Sequence, residues 1–302
     1  MDQWIDAALG KLQAAPEDKA ERIKAAQEFR AAIVAELNHA QSTPQYLQRL
    51  AERFSTKAVA EFRADGDHSV ALAVAMALRQ IGRVATRDAL TAGLRHADPG
   101  VRYTCAATYA ALVNDLSADA ATARNTIATL KDAGKAETNG VVLQAIYQAL
   151  TYERARFVGD TTQALAEIFA ARARRRAAGQ DVRADRAELT AYYYLQKVRS
   201  NIPQQAVAPL VRSLAALLTL DVARYPSALP EELRDLQERI VACESILDVY
   251  VNGGGDVRGK MQAGGDVVVQ EMGLEMLKWV GGQGEQGVLN KNPWNVPVGG
   301  LP

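Results

Sequence analysis

From Asp67 to Gly82 the chain reads DHSVALAVAMALRQIG, and from Asp98 to Leu112 it reads DPGVRYTCAATYAAL. In both stretches apolar residues recur at spacings of three and four, which predicts two amphipathic helices with one buried stripe each. Aligning Asp67 with Asp98, 31 residues on, places Val70 on Val101, Val74 on Cys105, Ala75 on Ala106 and Leu78 on Tyr109. Asp98 is set to cap its helix by accepting from the free N–H groups of the first turn. Pro99 follows at the first helical position, where a missing N–H costs nothing. Gly82 marks the end of the first copy.

Each copy is followed by a second helical pattern, Thr86–His96 and Ser117–Gly134. A third unit is predicted from Asn139–Leu150 and Asp160–Gly179, where the spacing grows to 41 residues. One such hairpin cannot bury its apolar stripe alone, whereas stacked hairpins share a continuous core. Upstream, Pro16–Leu37 and Thr43–Phe62 read as a capping pair of helices, with Thr43 as cap and Pro44 at the first position. Downstream, helices are predicted over Arg183–Arg199, Gln204–Arg224 and Pro230–Val251.

The repeated stretch resembles HEAT repeats, whose first helices commonly read Asp-Pro-x-Val-Arg-x-x-Ala-Ala-x-Ala-Leu. Asp98, Pro99, Val101, Arg102 and Ala106 match, and Thr108 and Tyr109 depart. In the earlier copy Asp67, Val70, Ala75, Ala77, Leu78 and Ile81-Gly82 match, while His68 and Ala71 replace the Pro and Arg. The 31-residue spacing is most similar to the compact HEAT-like repeats of phycobilisome lyases. The resemblance implies an all-α HEAT-like helical-repeat solenoid with a concave binding face, and implies no chemistry. Asp67, Val70, Asp98, Pro99, Val101 and Arg102 are its structural residues, with Arg102 expected to bond between repeats rather than to a ligand.

At Asn252 the composition changes: residues 252–302 hold 13 of the chain's 22 glycines. Such density predicts a mostly irregular tail. Within it, Asp266–Val280 reads as one short helix, with Val269, Met272, Met276 and Trp279 on one face. That helix either docks on a partner or folds back on its own array. Trp294, between Pro293 and Pro297, reads as an anchor of an extended segment. The expected organisation is an N-terminal helical cap (1–66), HEAT-like repeats (67–179), further helices of the array (180–251) and the tail (252–302).

Lys+Arg and Asp+Glu both number 35, so net charge is zero and a domain built to grip phosphate backbones is not expected. Alanine supplies much of the 48% apolar share, as befits closely approaching helices. Cys105 and Cys243, both within helical patterns, read as buried thiols of a reducing compartment. The N-terminus lacks a basic region followed by an apolar core, so no signal peptide is expected. Leu214–Leu220, a strongly apolar stretch, is shorter than a bilayer span. A soluble, cytoplasmic protein without membrane insertion is expected.

Gly254–Lys260 has the Gly-x-x-x-x-Gly-Lys spacing of a phosphate loop, but Met261 stands where Ser/Thr would hold magnesium, and a helix precedes it. Arg172, Arg175 and Arg176 lie on neighbouring parts of one helical face, either as a partner-binding patch or as a solvated helix end. Of Tyr192, Tyr193 and Tyr194, some point to the core and at least one outward. The histidines have no ligand at metal spacing, so neither metal nor cofactor is expected. The function expected is a non-enzymatic scaffold that binds a protein partner through Arg172, Arg175 and Arg176, or through Met272, Met276, Trp279 and Trp294. Two alternatives remain: a HEAT-like chromophore lyase or DNA-binding glycosylase, and self-assembly by tail docking.

Overall fold

The computed structural model describes residues 1–16, 18–39, 42–63, 66–180, 185–265, 267–282 and 284–299. Asp181 and the expected helix starts at Arg183 and Asp266 lie outside the described residues. Among the described residues the protein is all-α, with one isolated bridge, Gly282 to Glu285, and no strand. The chain divides into two compact units, Met1–Asp119 and Ala120–Pro302, so the expected boundary at 251/252 falls inside the second.

The first unit contains α1 (Asp2–Gln13), α2 (Lys19–Leu37), α3 (Pro44–Glu61), α4 (His68–Ile81), α5 (Arg87–Gly93), α6 (Pro99–Ala111) and the short α7 (Val113–Leu116). The caps follow the sequence. Asp67 Oδ1 accepts from Ser69 N at 2.8 Å, Asp98 Oδ1 from Gly100 N at 2.7 Å, and Thr43 Oγ1 from Tyr46 N at 3.2 Å. Gly82 ends α4 at φ +57°, a left-handed conformation that suits glycine. The two similar stretches, α4 and α6, pack side by side, and α2 lies on the other flank of α4. Helices α3 and α5 form the second layer. Phe29 and Phe54 join α2 to α3 with ring centroids 6.2 Å apart. The layers close tightly at Gly93, where a Cβ would lie 2.3 Å from Cys105 Sγ. Arg102 donates to the carbonyls of His96 (2.9 Å) and Ala97 (2.7 Å), fastening the turn between α5 and α6.

The second unit contains α8 (Ala120–Ala136), α9 (Gly140–Ala149), α10 (Ala155–Ala177), α11 (Ala187–Val198), α12 (Gln204–Arg224), α13 (Pro230–Tyr250), α14 (Val257–Ala263) and α15 (Val268–Val280). Helices α8, α10, α12 and α15 lie in one layer, and α9, α11, α13 and α14 in the other. Asn139 caps α9 as Asp98 caps α6, accepting from Val141 N at 3.0 Å. Residues Gln204–Ser227 are long and apolar enough to cross a membrane, with a mean hydropathy of 1.6. That run exceeds Leu214–Leu220 because alanine and valine extend it. In this unit 67% of its most apolar 18-residue window is buried, chiefly between α10 and α13.

The glycine-rich segment departs from expectation. The arm before the expected helix itself folds into a helix, α14, which lies on α13, and α15 lies on α12, while residues 284–299 carry only a short 3-10 turn. The glycines serve close approach. A Cβ on Gly254 would lie 2.2 Å from the Trp279 ring, and one on Gly255 would lie 2.0 Å from the Glu275 carbonyl oxygen. Glycine density is therefore compatible with packing wherever the backbone itself is the packed surface.

Candidate docking surfaces and the internal charge network

The arginines expected at the surface turn inward. Arg172 and Arg239 are fully buried, with Glu188 and Asp221 beside them. Arg172 meets Asp185 at 2.6 Å and Glu188 at 2.8 Å. Arg176 meets Glu188 at 3.4 Å and Asp221 at 3.3 Å, and Arg239 pairs with both acids. Three guanidiniums and three carboxylates thus tie α10, α11, α12 and α13 together. Burial alone would raise the Glu188 carboxyl, but Arg172, Arg176 and Arg239 outweigh it and hold it at about 2. Burial raises the Asp221 carboxyl, opposed by Arg239 and Arg176. Arg175 donates to the carbonyls of Lys135 and Glu137, fastening the turn after α8. The partner-binding expectation for Arg172, Arg175 and Arg176 is corrected accordingly: their charge is spent inside the unit, and Arg174 is the member of the run that faces solvent.

The tail residues are corrected in the same way. Met272, Met276 and Trp279 are buried, Trp279 completely, and they form the inner face of α15. Trp279 Nε1 donates to Glu244 Oε1 at 3.0 Å. The same carboxylate accepts from Val257 N at 2.8 Å and Arg258 N at 2.7 Å, so it also caps α14. The stretch with phosphate-loop spacing is therefore this clasp, with its amides already engaged by a carboxylate. Trp294 is half-buried, and its backbone N–H donates to Lys291 O at 2.9 Å. Val269, expected beside Met272, lies 43% exposed, because the inward face of α15 runs through Met272, Glu275, Met276 and Trp279. Tyr192 and Tyr194 point into the core and Tyr193 outward. Among the described residues no cluster of His, Cys, Asp and Glu is arranged to hold a metal.

The open surface of the second unit carries a trough that sequence reading missed. Between α10 and α12, Ala166, Ala170, Ala173, Pro209 and Ala216 floor a hollow of about 270 Å³. Arg174 and Arg212 stand at its rim. The chain's own Val296 and Pro297 form part of its lining. Val296 is held there by its N–H to Leu289 O (2.8 Å) and by Asn290 Nδ2 to its carbonyl (2.9 Å). The signal available in the sequence was the alanine spacing 166, 170, 173 on one helical face. Chemically the trough offers shape and apolar area, with Arg174, Arg212 and the Glu167 carboxylate as its charged groups.

No protein-family model, curated protein or solved structure matches the chain.

Proposed function

We propose that this protein is a HEAT-like stack of helical hairpins acting as a soluble, non-enzymatic scaffold, and that the α10/α12 trough receives an extended apolar segment of a protein partner. One observation carries the reading: the hollow between α10 and α12 is walled mainly by alanine and proline, and the chain's own Val296 and Pro297 already pack against it as part of its lining. Proline segments lose little entropy on docking, which suits such a floor. The two-layered packing within each unit supports the HEAT-like comparison. The DNA-glycosylase alternative loses its residues, because Arg172 and Arg176 are engaged internally.

The test is affinity capture from native lysate with the full chain and with Ala170→Glu or Arg212→Glu. Ala170 is partly exposed and Arg212 exposed, so the fold should survive. The reading requires a captured protein whose recovery drops with both variants. Equal recovery by all three proteins would overturn it.

A second reading, self-association, draws on the outer face of α15. Leu274 is 56% exposed and Leu277 40%, and Val298, 57% exposed, precedes Gly299, whose N–H donates to the Val280 carbonyl at the end of α15. Apolar area of this kind at the edge of a helical stack favours a neighbouring surface. Light scattering of the full chain against Leu274→Lys/Leu277→Lys decides it: equal masses remove the reading.

A further inference from the structure

The first unit has a groove of its own, between the neighbouring helices α2 and α4. It encloses about 950 Å³. Its floor is apolar: Leu72 and Met76 stand one turn apart on α4, opposite Ala26 and Ile23 of α2. Ile23 is 50% exposed, unusual for its residue type. Three cations line the groove, Lys19, Arg22 and Arg30, against one carboxylate, Asp67. Arg22 is engaged in part: Nη1 pairs with Asp67 and donates to Ser69 Oγ at 3.0 Å, and Nε donates to the Pro16 carbonyl at 3.1 Å, which leaves Nη2 without a partner among the described residues. Arg30 is less engaged still. Its Nε is buried without a hydrogen bond, and among the described residues its guanidinium has no acidic partner. A half-buried, uncompensated guanidinium is costly unless an anion meets it.

Arg22 and Arg30 are eight residues apart on α2, so they stand about 12 Å apart along the groove. We propose that the α2/α4 groove binds an amphipathic α-helix of a protein partner, one that lays an apolar stripe on Leu72, Met76 and Ile23 and presents acidic side chains about two turns apart to Lys19/Arg22 and to Arg30. A helix matches this spacing because residues eight apart fall near the same face over the same rise. A single-headed amphiphile satisfies one end of the groove and leaves the other cation bare. The groove lies in the first unit and is independent of the α10/α12 trough.

The probe is a fluorescein-labelled helical peptide of about 18 residues, long enough to hold a helix. It carries Leu at i, i+4, i+7 and i+11 with Glu flanking that stripe two turns apart. A counterpart replaces each Glu by Lys. With the full chain, the Glu peptide should bind about tenfold more tightly than the Lys peptide, and added salt should weaken it. Arg30→Glu and Ile23→Asp should each weaken it about fivefold or more, whereas Ala170→Glu in the other unit should leave it unchanged. Ile23 is exposed, so its variant keeps the test informative should Arg30→Glu perturb folding; circular dichroism checks both. Equal affinity for the two peptides, or binding indifferent to both groove variants, overturns the proposal. Tight binding of dodecanoate with no binding of the Glu peptide overturns the choice of occupant.

Discussion

Trp279 and Glu244 meet across 35 residues of chain, the indole N–H donating to the carboxylate at 3.0 Å in a fully enclosed site. The same carboxylate serves the first two amides of α14, so one side chain joins α13, α14 and α15.

Glu244→Ala leaves two buried donors and one part-buried donor without this acceptor. Each orphaned donor costs about 1–3 kcal/mol, so the variant should lose about 3 kcal/mol or more. Urea unfolding followed by tryptophan fluorescence measures it, and limited proteolysis should gain new cuts within residues 252–265. A variant with unchanged midpoint and cutting pattern would show that the clasp does not hold the last two helices.

Gly255→Ala should destabilise the second unit by about 1–3 kcal/mol or more, because overpacking forces backbone apart. The Cβ would meet the Glu275 carbonyl oxygen at 2.0 Å, and that oxygen cannot rotate away as a side chain can. The control is Gly10→Ala, in the last turn of α1, where a Cβ meets nothing within 4 Å. There the substitution should stabilise by about 0.5–1 kcal/mol. Thermal unfolding of both variants checks the contrast in sign.

The internal charge network predicts an acid limb. Glu188 ionises at about 2 in the folded protein against an ordinary value of 4.5. A depressed carboxyl stabilises the fold above its unfolded value, and this contribution is lost as pH falls from 4.5 toward 2. Asp221, raised by burial, slopes the other way, so the comparison needed is wild type against Glu188→Gln. The difference in stability between them should shrink across that window. Arg172→Met removes a guanidinium beside Glu188 and should cost about 3–5 kcal/mol at neutral pH. A pH-independent difference would remove Glu188 as the source of the acid limb.

Cys105 and Cys243 are both fully buried, and burial pushes both thiols above their ordinary range. Neither should react with a thiol-specific reagent in the native state, and both of the chain's two cysteines should react after unfolding. Rapid reaction of one thiol in native protein would mean that its helices open readily.

Most helices were legible because their signals are local. Asp67, Asp98, Asn139 and Thr43 each cap the helix that the apolar spacing predicts, and the bounds of α12 agree with the pattern to the residue. The candidate sites were less legible because their partners are distant. Arg172 and Arg176 look like a surface patch when α10 is viewed alone; only the arrival of Glu188, Asp221 and Arg239 from three other helices makes their face an interior one. The tail misled for a different reason. Composition reports the freedom of a glycine in the unfolded chain, whereas the fold uses Gly254 and Gly255 for the volume they leave empty. The groove was invisible because nothing in α2 shows that the acid at the start of α4, Asp67, will reach Arg22 and not Arg30.

The meeting of Trp279 with Glu244 also orders events during synthesis. Until residue 279 has been made and has left the ribosome, the flank of α12 that α15 covers stays wet and the Glu244 carboxylate has no indole to receive. The second unit therefore ripens late, and a nascent chain stalled between residues 251 and 279 would present its half-built edge to chaperones or to other chains.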